Sequence, residues 1–260
     1  MSITLSKKER ADSTLSTANL ERAVTAIRED GFVLIEDIVA HDHLDQLHER
    51  MDEDAQKLIA AERWGGAGGV TGHLQLGAPP LAPFVFRDIV ANPFVVQVSH
   101  AMLGDGFFNA FYSGNTCLPN PHQQPLHVDS GQLWPDLDQA TPAYNLVVNV
   151  PIVDTTPHNG STELWPGTHL DTTRAISDGD IKLAPADEER RRAERQPLQP
   201  SIPAGSVLIR DMRLWHRGMP NLTEPPGSTD RIIDDDTNVN LQLCRYLIDN
   251  LTSTRIRIFR

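Results

Sequence analysis

The sequence predicts a mainly β fold, a sandwich or jelly roll, preceded in the chain by a layer of helices. From residue 107 onward, β-rich segments are short and set apart by turn residues, at 107–112, 124–129, 144–153, 163–165, 206–216 and 239–248. Many short strands so spaced favour a sandwich or jelly roll over a parallel α/β sheet. The first hundred residues carry a different signal, apolar positions three or four apart. At 260 residues the chain suits one large domain with a substantial core.

Taken in order, residues 1–17 are polar and are expected to be disordered or loosely packed, ahead of a single domain over 18–260. Leu20, Val24 and Ile27 recur at helical spacing, so residues 18–30 read as an amphipathic helix that ends at Asp30-Gly31. Phe32-Val33-Leu34-Ile35 follows as a strand. From 41 to 61 the apolar positions Leu44, Leu47, Met51, Ala55, Leu58 and Ile59 predict a long helix against the outside of a sheet. His43 and His48 do not share a face, and with His41 they are read as solvated. The glycines between 65 and 83 are followed by no Gly-Lys-Ser/Thr, which excludes a phosphate loop. They mark a loop that either borders a site or simply connects surface elements. Asn92-Pro93 opens another helix over 94–103, stopped by Gly104. The helical layer thus spans 18–104 and the β core 105–250. Residues 187–195 read as a short solvated helix with acid-before-base pairs, either plain wet surface or a flap.

Lys+Arg 23 against Asp+Glu 35 gives a net charge of −12. That balance argues against a nucleic-acid backbone or an anionic membrane as the main partner. Two cysteines, Cys117 and Cys244, cannot build a disulfide framework, and no apolar run reaches the roughly 18 residues of a membrane helix. The first 17 residues lack the apolar core of a signal peptide. The expected setting is reducing and cytoplasmic.

The chemistry centres on Gln124-Pro125-Leu126-His127-Val128-Asp129 and on His216, 89 residues after His127. On a strand, His127 and Asp129 project from one face. Residues 208–216 also read as a strand, which delivers His216 from its end. Two histidines and one carboxylate leave half an octahedron open, a set that suits non-haem Fe(II) binding a co-substrate and O₂ together. The same three ligands on zinc would serve a hydrolase.

Between these segments lies Asn159-Gly160-Ser161-Thr162-Glu163-Leu164-Trp165-Pro166-Gly167-Thr168-His169, an Asn-Gly turn, a short strand and a Pro-Gly turn. After His216 comes Arg217-Gly218-Met219-Pro220-Asn221. In this order and spacing the three motifs resemble the phytanoyl-CoA dioxygenase (PhyH) family of Fe(II)/2-oxoglutarate oxygenases, over about residues 20 to 225. The resemblance implies a double-stranded β-helix, cupin-like, with helices packed outside. It implies Fe(2+), 2-oxoglutarate and O₂ as cofactors, with ascorbate as reductant in vitro, and release of succinate and CO₂. Related halogenases lack the acid, so Asp129 implies oxygenation, most simply hydroxylation.

The resemblance also places Gln124, three residues before His127, and Thr162 near the co-substrate. A family arginine that meets its distal carboxylate has no counterpart in Gly227-Ser228-Thr229-Asp230. Arg231 is the nearest candidate. Arg245 competes because it shares alternation with Val239, Leu241, Leu243 and Leu247, the face expected to point inward. A missing anchor would favour a non-catalytic barrel that binds a metabolite. Phe111, Tyr112 and Trp134 are either substrate-facing or packing. His122, His158 and His169 are left unassigned, and no side chain is given an acid–base role. The expected partner is a small molecule, with a secondary-metabolite intermediate preferred to a CoA thioester, and a homodimer is left open.

Overall fold

The computed structural model of the protein describes residues 1–63, 67–179, 181–224, 237–244, 247–248 and 256–257. The first 17 residues are folded, contrary to the expectation of a loose terminus. β1 (Ser2–Ile3) pairs in parallel with β2 (Phe32–Ile35), and α1 (Lys7–Asp12) follows with a Ser6/Glu9 capping box. The composition of this stretch is polar, but Ile3, Leu5 and Leu15 are all buried. At about 1.5–3 kcal/mol per buried aliphatic side chain, three are enough to dock a short terminus.

α2 (Thr17–Asp30) starts at an N-cap, Ser16, and stops at Gly31, whose φ is 89°. A side chain is barred there twice over. Positive φ favours glycine, and a Cβ would lie 2.7 Å from both His169 Nδ1 and Leu214 Cδ1. α3 (His41–Ala60) buries Leu44, Leu47, Met51 and Ala55, as its spacing predicts. His48 is buried on the same helix, which corrects the reading of that histidine as solvated. His43 is held by Asp88 at 2.8 Å and stacks on Phe86, which leaves it partly open to water, and His41 is the most exposed of the three. A short α4 (Arg87–Val90) precedes α5 (Pro93–Leu103), capped by the Asn92 side chain.

The strands that follow are β3 (His73–Leu74), β4 (Phe108–Cys117), β5 (Asn145–Pro151) and β6 (Glu163–Leu164). After α6 (Pro185–Glu194) come β7 (Val207–Asp211), β8 (His216–Arg217), β9 (Thr237–Cys244) and a small antiparallel pair, β10 (Leu247–Ile248) with β11 (Ile256–Arg257). Seven strands form one sheet in the order β1-β2-β7-β5-β9-β4-β3, antiparallel except for the β1/β2 pair.

Alternation divides its two faces. Leu146, Val148 and Val150 of β5, with Val207 and Ile209 of β7, pack under the helices against Ile27, Leu47 and Met51. Val147, Asn149 and Arg210 face the other way, into a cavity. β9 runs beside β5 with Val239, Leu241 and Leu243 opposite Val150, Val148 and Leu146. Arg245 and Arg231 themselves lie outside the described residues.

Across the cavity stands a second, broken layer. β6 pairs with β8, and single bridges join His127 to His216 and to Lys182, Leu164 to Leu198, and Asn159 to Asn221. The predicted strand over 124–129 is thus present as one bridge rather than a run. The predicted strand over 206–216 also breaks, at Met212–Leu214, where Asp211 Oδ1 accepts the backbone N–H of Arg213. Two facing layers of antiparallel strands under an outer coat of helices make a double-stranded β-helix, the predicted class.

α6 buries no residue, which agrees with a solvated helix, but it is no loose flap. Asp187 pairs with Arg174 at 3.4 Å, Glu188 with Arg217 at 3.0 Å, and Arg192 lies over the Trp165 ring. Arg195, just past its end, reaches Asp30 at 2.8 Å.

Candidate active site

Residues 126–128 are strung between two neighbours. Val128 N–H donates to Ile181 O on one side, and His127 exchanges both backbone bonds with His216 on the other, at 3.1 and 2.9 Å. That reciprocal pair sets the two histidines directly opposite one another, so their side chains leave the same face. Leu126 and Val128, at the other parity, pack with Trp165 and Trp215 in a small core of their own. Asp129, two residues on, returns to the histidine face.

The three side chains converge. The nearest ligand atoms of His127, Asp129 and His216 all lie within 4.8 Å of one another. Asp129 Oδ1 is 3.5 Å from His216 Nε2 and 4.0 Å from His127 Nε2, and the imidazole centroids are 4.4 Å apart. Each ring donates its other nitrogen to a backbone carbonyl two residues upstream, His127 Nδ1 to Pro125 O at 2.8 Å and His216 Nδ1 to Leu214 O at 2.9 Å. With Nδ1 carrying the proton, both Nε2 lone pairs face Asp129.

The charges agree with that arrangement. Burial pushes the His216 imidazole well below its usual range, aided by the neighbouring Arg210 cation, so it is neutral. Burial is the largest single influence on the Asp129 carboxyl and would raise it, but the charge and hydrogen bond of Arg210 together with the two imidazoles outweigh burial and hold the group ionised. The contact is short, Arg210 Nη2 donating to Asp129 Oδ2 at 2.6 Å, and Arg210 Nε donates to Asn149 Oδ1 at 3.1 Å.

The triad opens on a cavity of about 280 Å³. Gln124 and Thr162, both expected near the co-substrate, line it. Gln124 Oε1 accepts the Gly218 N–H at 2.9 Å, which fixes its amide and turns its Nε2 away from that bond. Gly68 of the glycine-rich loop also lines the cavity, and a Cβ there would touch the Gln124 side chain at 3.5 Å, so that loop borders the site. Phe111 and Ile181 are exposed at the rim. Tyr112 is not substrate-facing: its hydroxyl donates to Phe84 O at 2.7 Å within the helix-side core, and burial raises it to about 12. Trp134 is half exposed and lies apart from the cavity wall.

Sequence reasoning missed several cavity residues. Arg210 had a signal, a cation inside the apolar run Val207-Leu208-Ile209, at the parity opposite to the core. His73, Gln75, Asn115 and Lys182 had none, because their segments take meaning only from the strands they meet.

His73 and His169 are buried and neutral, each pushed below its usual range by burial. His169, left unassigned above, donates from Nε2 to Arg28 O at 3.1 Å and packs beneath Gly31. The sign follows from proton linkage. Below about pH 6.5 the unfolded chain takes up protons that these folded rings refuse, so each contributes a loss of up to about 1.4 kcal/mol per pH unit. The melting temperature of the metal-free protein is expected to fall from about pH 7.5 to about pH 5.5, and less steeply in His169→Gln. A melting temperature flat across that range contradicts the assignment.

Comparisons with known proteins show the family. Residues 27–226 match the model of the phytanoyl-CoA dioxygenase (PhyH) family. A dioxygenase of Aspergillus fumigatus, Dioxygenase af480, is 27% identical over 142 residues, a stretch covering 54% of this chain and 40% of that protein. Among solved structures, the epimerase SnoN, crystallised with Fe³⁺, alpha ketoglutarate and nogalamycin RO, aligns with a TM-score of 0.63 at 19% identity, over 88% of this chain and 84% of its own. AviO1 from Streptomyces viridochromogenes Tue57 aligns with a TM-score of 0.58 at 18% identity, over 92% and 99%. At such identities the structural likeness speaks for the fold. With the family model spanning most of its length, the chain belongs to the phytanoyl-CoA dioxygenase (PhyH) family.

Proposed function

We propose that the chain holds Fe(II) through His127, Asp129 and His216, and with 2-oxoglutarate and O₂ hydroxylates a small polar molecule, such as a secondary-metabolite intermediate. The observation that carries this reading is the convergence of two Nε2 atoms and one carboxylate oxygen at a cavity wall.

The donor set fits the metal. Cis ligands about 2.1 Å from an ion stand about 3 Å apart, close to the 3.5 and 4.0 Å separations found here. Two neutral imidazoles and one carboxylate leave a divalent site at a net charge of about +1, with three of six positions free for small ligands. When bound, the iron with its co-substrate and O₂ supplies oxidation of a C–H bond, with succinate and CO₂ as by-products.

The chain's own part is to bind and orient. The Pro125 and Leu214 carbonyls accept from Nδ1 of the two rings, so each ring presents its Nε2 to the metal. Gln124, its oxygen anchored on the Gly218 amide, offers its Nε2 donors at the cavity wall for the metal-side carboxylate of 2-oxoglutarate. The distal carboxylate stays with Arg231 or Arg245 as candidates. Gln75, Asn115, Asn149 and Thr162 give the wall an amide- and hydroxyl-rich character, and Phe111 and Ile181 give the rim an apolar one. That division suits a substrate with several hydroxyl or carbonyl groups on an apolar frame. SnoN carries the name epimerase, so the same oxidising site is compatible with outcomes other than hydroxylation.

The test is anaerobic addition of Fe(II) and then 2-oxoglutarate to the purified protein. A weak visible charge-transfer band and, on admitting air, slow succinate release are expected. Absence of both, with tight Zn(II) binding instead, would transfer the triad to a hydrolytic role.

A further inference from the structure

Arg210 is 5% exposed, yet it follows three apolar residues, Val207, Leu208 and Ile209, in its strand. Two of its donors are used: Nε on Asn149 Oδ1 at 3.1 Å, and Nη2 on Asp129 Oδ2 at 2.6 Å. Among the described residues its Nη1 is buried with no partner. A buried cation with an unsatisfied donor is a poor device for stability, since desolvation offsets much of the ion pair. Its position points to another use. β7 is flanked on both sides, by β2 and β5, and Arg210 stands opposite both Phe32 and Val147, so the guanidinium is set on a rigid base.

The consequence lies at the other oxygen of Asp129. Oδ2 is engaged by Arg210, and Oδ1 is the atom that faces the two imidazoles, at 3.5 and 4.0 Å. We propose that Arg210 is a positioning residue that reserves a single oxygen of Asp129 for the metal. This rests on the ligand assignment above. A carboxylate free to turn can chelate through both oxygens and occupy two of six positions. Two imidazoles and a chelating carboxylate leave two positions, too few for a keto acid that takes two and an O₂ that takes one. With Oδ2 held by a charge-assisted bond, the third position stays open. Asn149, by holding Nε, sets the plane of the guanidinium and so which nitrogen meets Asp129.

The experiment uses Co(II), whose visible absorption reports coordination number, with the wild type, Arg210→Lys, Arg210→Gln and Asn149→Leu. Lysine keeps a positive charge but cannot span Asn149 and Asp129 together. Expected are Co(II) dissociation constants at least about tenfold higher in both Arg210 variants, as for other groups that orient a metal ligand. An altered Co(II) spectrum is expected with them, and a smaller change of the same kind in Asn149→Leu. Melting of the metal-free forms confirms that each is folded, and a merely structural arginine would move that temperature without altering the spectrum. Co(II) affinity within twofold of wild type, with an unchanged spectrum, in folded Arg210 variants overturns the proposal. If neither Arg210 variant folds, the same criteria applied to Asn149→Leu decide it. A wild-type protein that takes up no Co(II) removes the ligand assignment itself and this proposal with it, a result distinct from normal wild-type binding with indifferent variants.

Discussion

His127→Ala or His216→Ala is expected to weaken Fe(II) binding by more than about 100-fold, because loss even of a group that merely orients a ligand costs about 10- to 100-fold. The two variants differ in what else they disturb. His216 is buried and carries a backbone pairing with Leu164 and His127, whereas His127 is partly open to the cavity. Its alanine variant therefore reports metal binding with little change of stability, and is the cleaner probe. Asp129→Ala is a different matter, since it leaves the Arg210 guanidinium buried without its anion, a loss of about 3–5 kcal/mol by precedent for broken buried pairs. Asp129→Asn keeps an acceptor and is the variant to pair with the histidine data. Calorimetric titration under nitrogen measures all four. Stoichiometric, wild-type-like Fe(II) binding by both histidine variants would show that the ion sits elsewhere.

The second large effect is expected just behind the cavity wall, in a network that sequence reasoning did not find. Asp211 and Arg213 pair at 2.7 Å, with side chains 2% and 3% exposed. The arginine also donates from Nη1 to Gln132 Oε1 at 2.7 Å and to Thr141 O at 2.9 Å, which ties the loop after Asp129 to the turn before β8. Asp211→Ala or Arg213→Ala leaves a charge stranded in the interior. A loss of about 3–5 kcal/mol is expected, on the order of 10 °C in melting temperature for a chain of this size. The double variant Asp211→Leu/Arg213→Met should lose less than the two singles added together, because no stranded charge remains. Additive losses would mean that the pair does not act as a unit.

The two networks show why some features were legible and others were not. Helix spacing carried the N-terminal layer almost to the residue, since Leu44, Leu47, Met51 and Ala55 are buried where a 3.6-residue period puts them. The triad was legible for a related reason: alternation along 127–129 is local, and the Trp-His pair at 215–216 follows a recognisable strand. Residues 206–216 were harder. A β-branched and leucine-rich run resembles one strand from end to end, and only the buried Asp211–Arg213 pair, invisible to periodicity, explains the turn that divides it. Ile3 and Leu5 were lost among polar neighbours because two apolar residues set no period. Tyr112, left open between packing and a substrate-facing place, packs in the core, one parity step from Phe111 at the cavity rim. Arg231 and Arg245, the candidates for the co-substrate anchor, lie outside the described residues.

The reciprocal backbone bonds between His127 and His216 have a bearing on biosynthesis. A nascent chain that has not yet emerged past residue 216 possesses one imidazole and one carboxylate on this wall, too few donors to retain a labile divalent ion against the cellular pool. Metal retention and closure of this backbone pair are therefore expected to be gained together, since the pairing brings the second imidazole to the wall where the other two side chains stand.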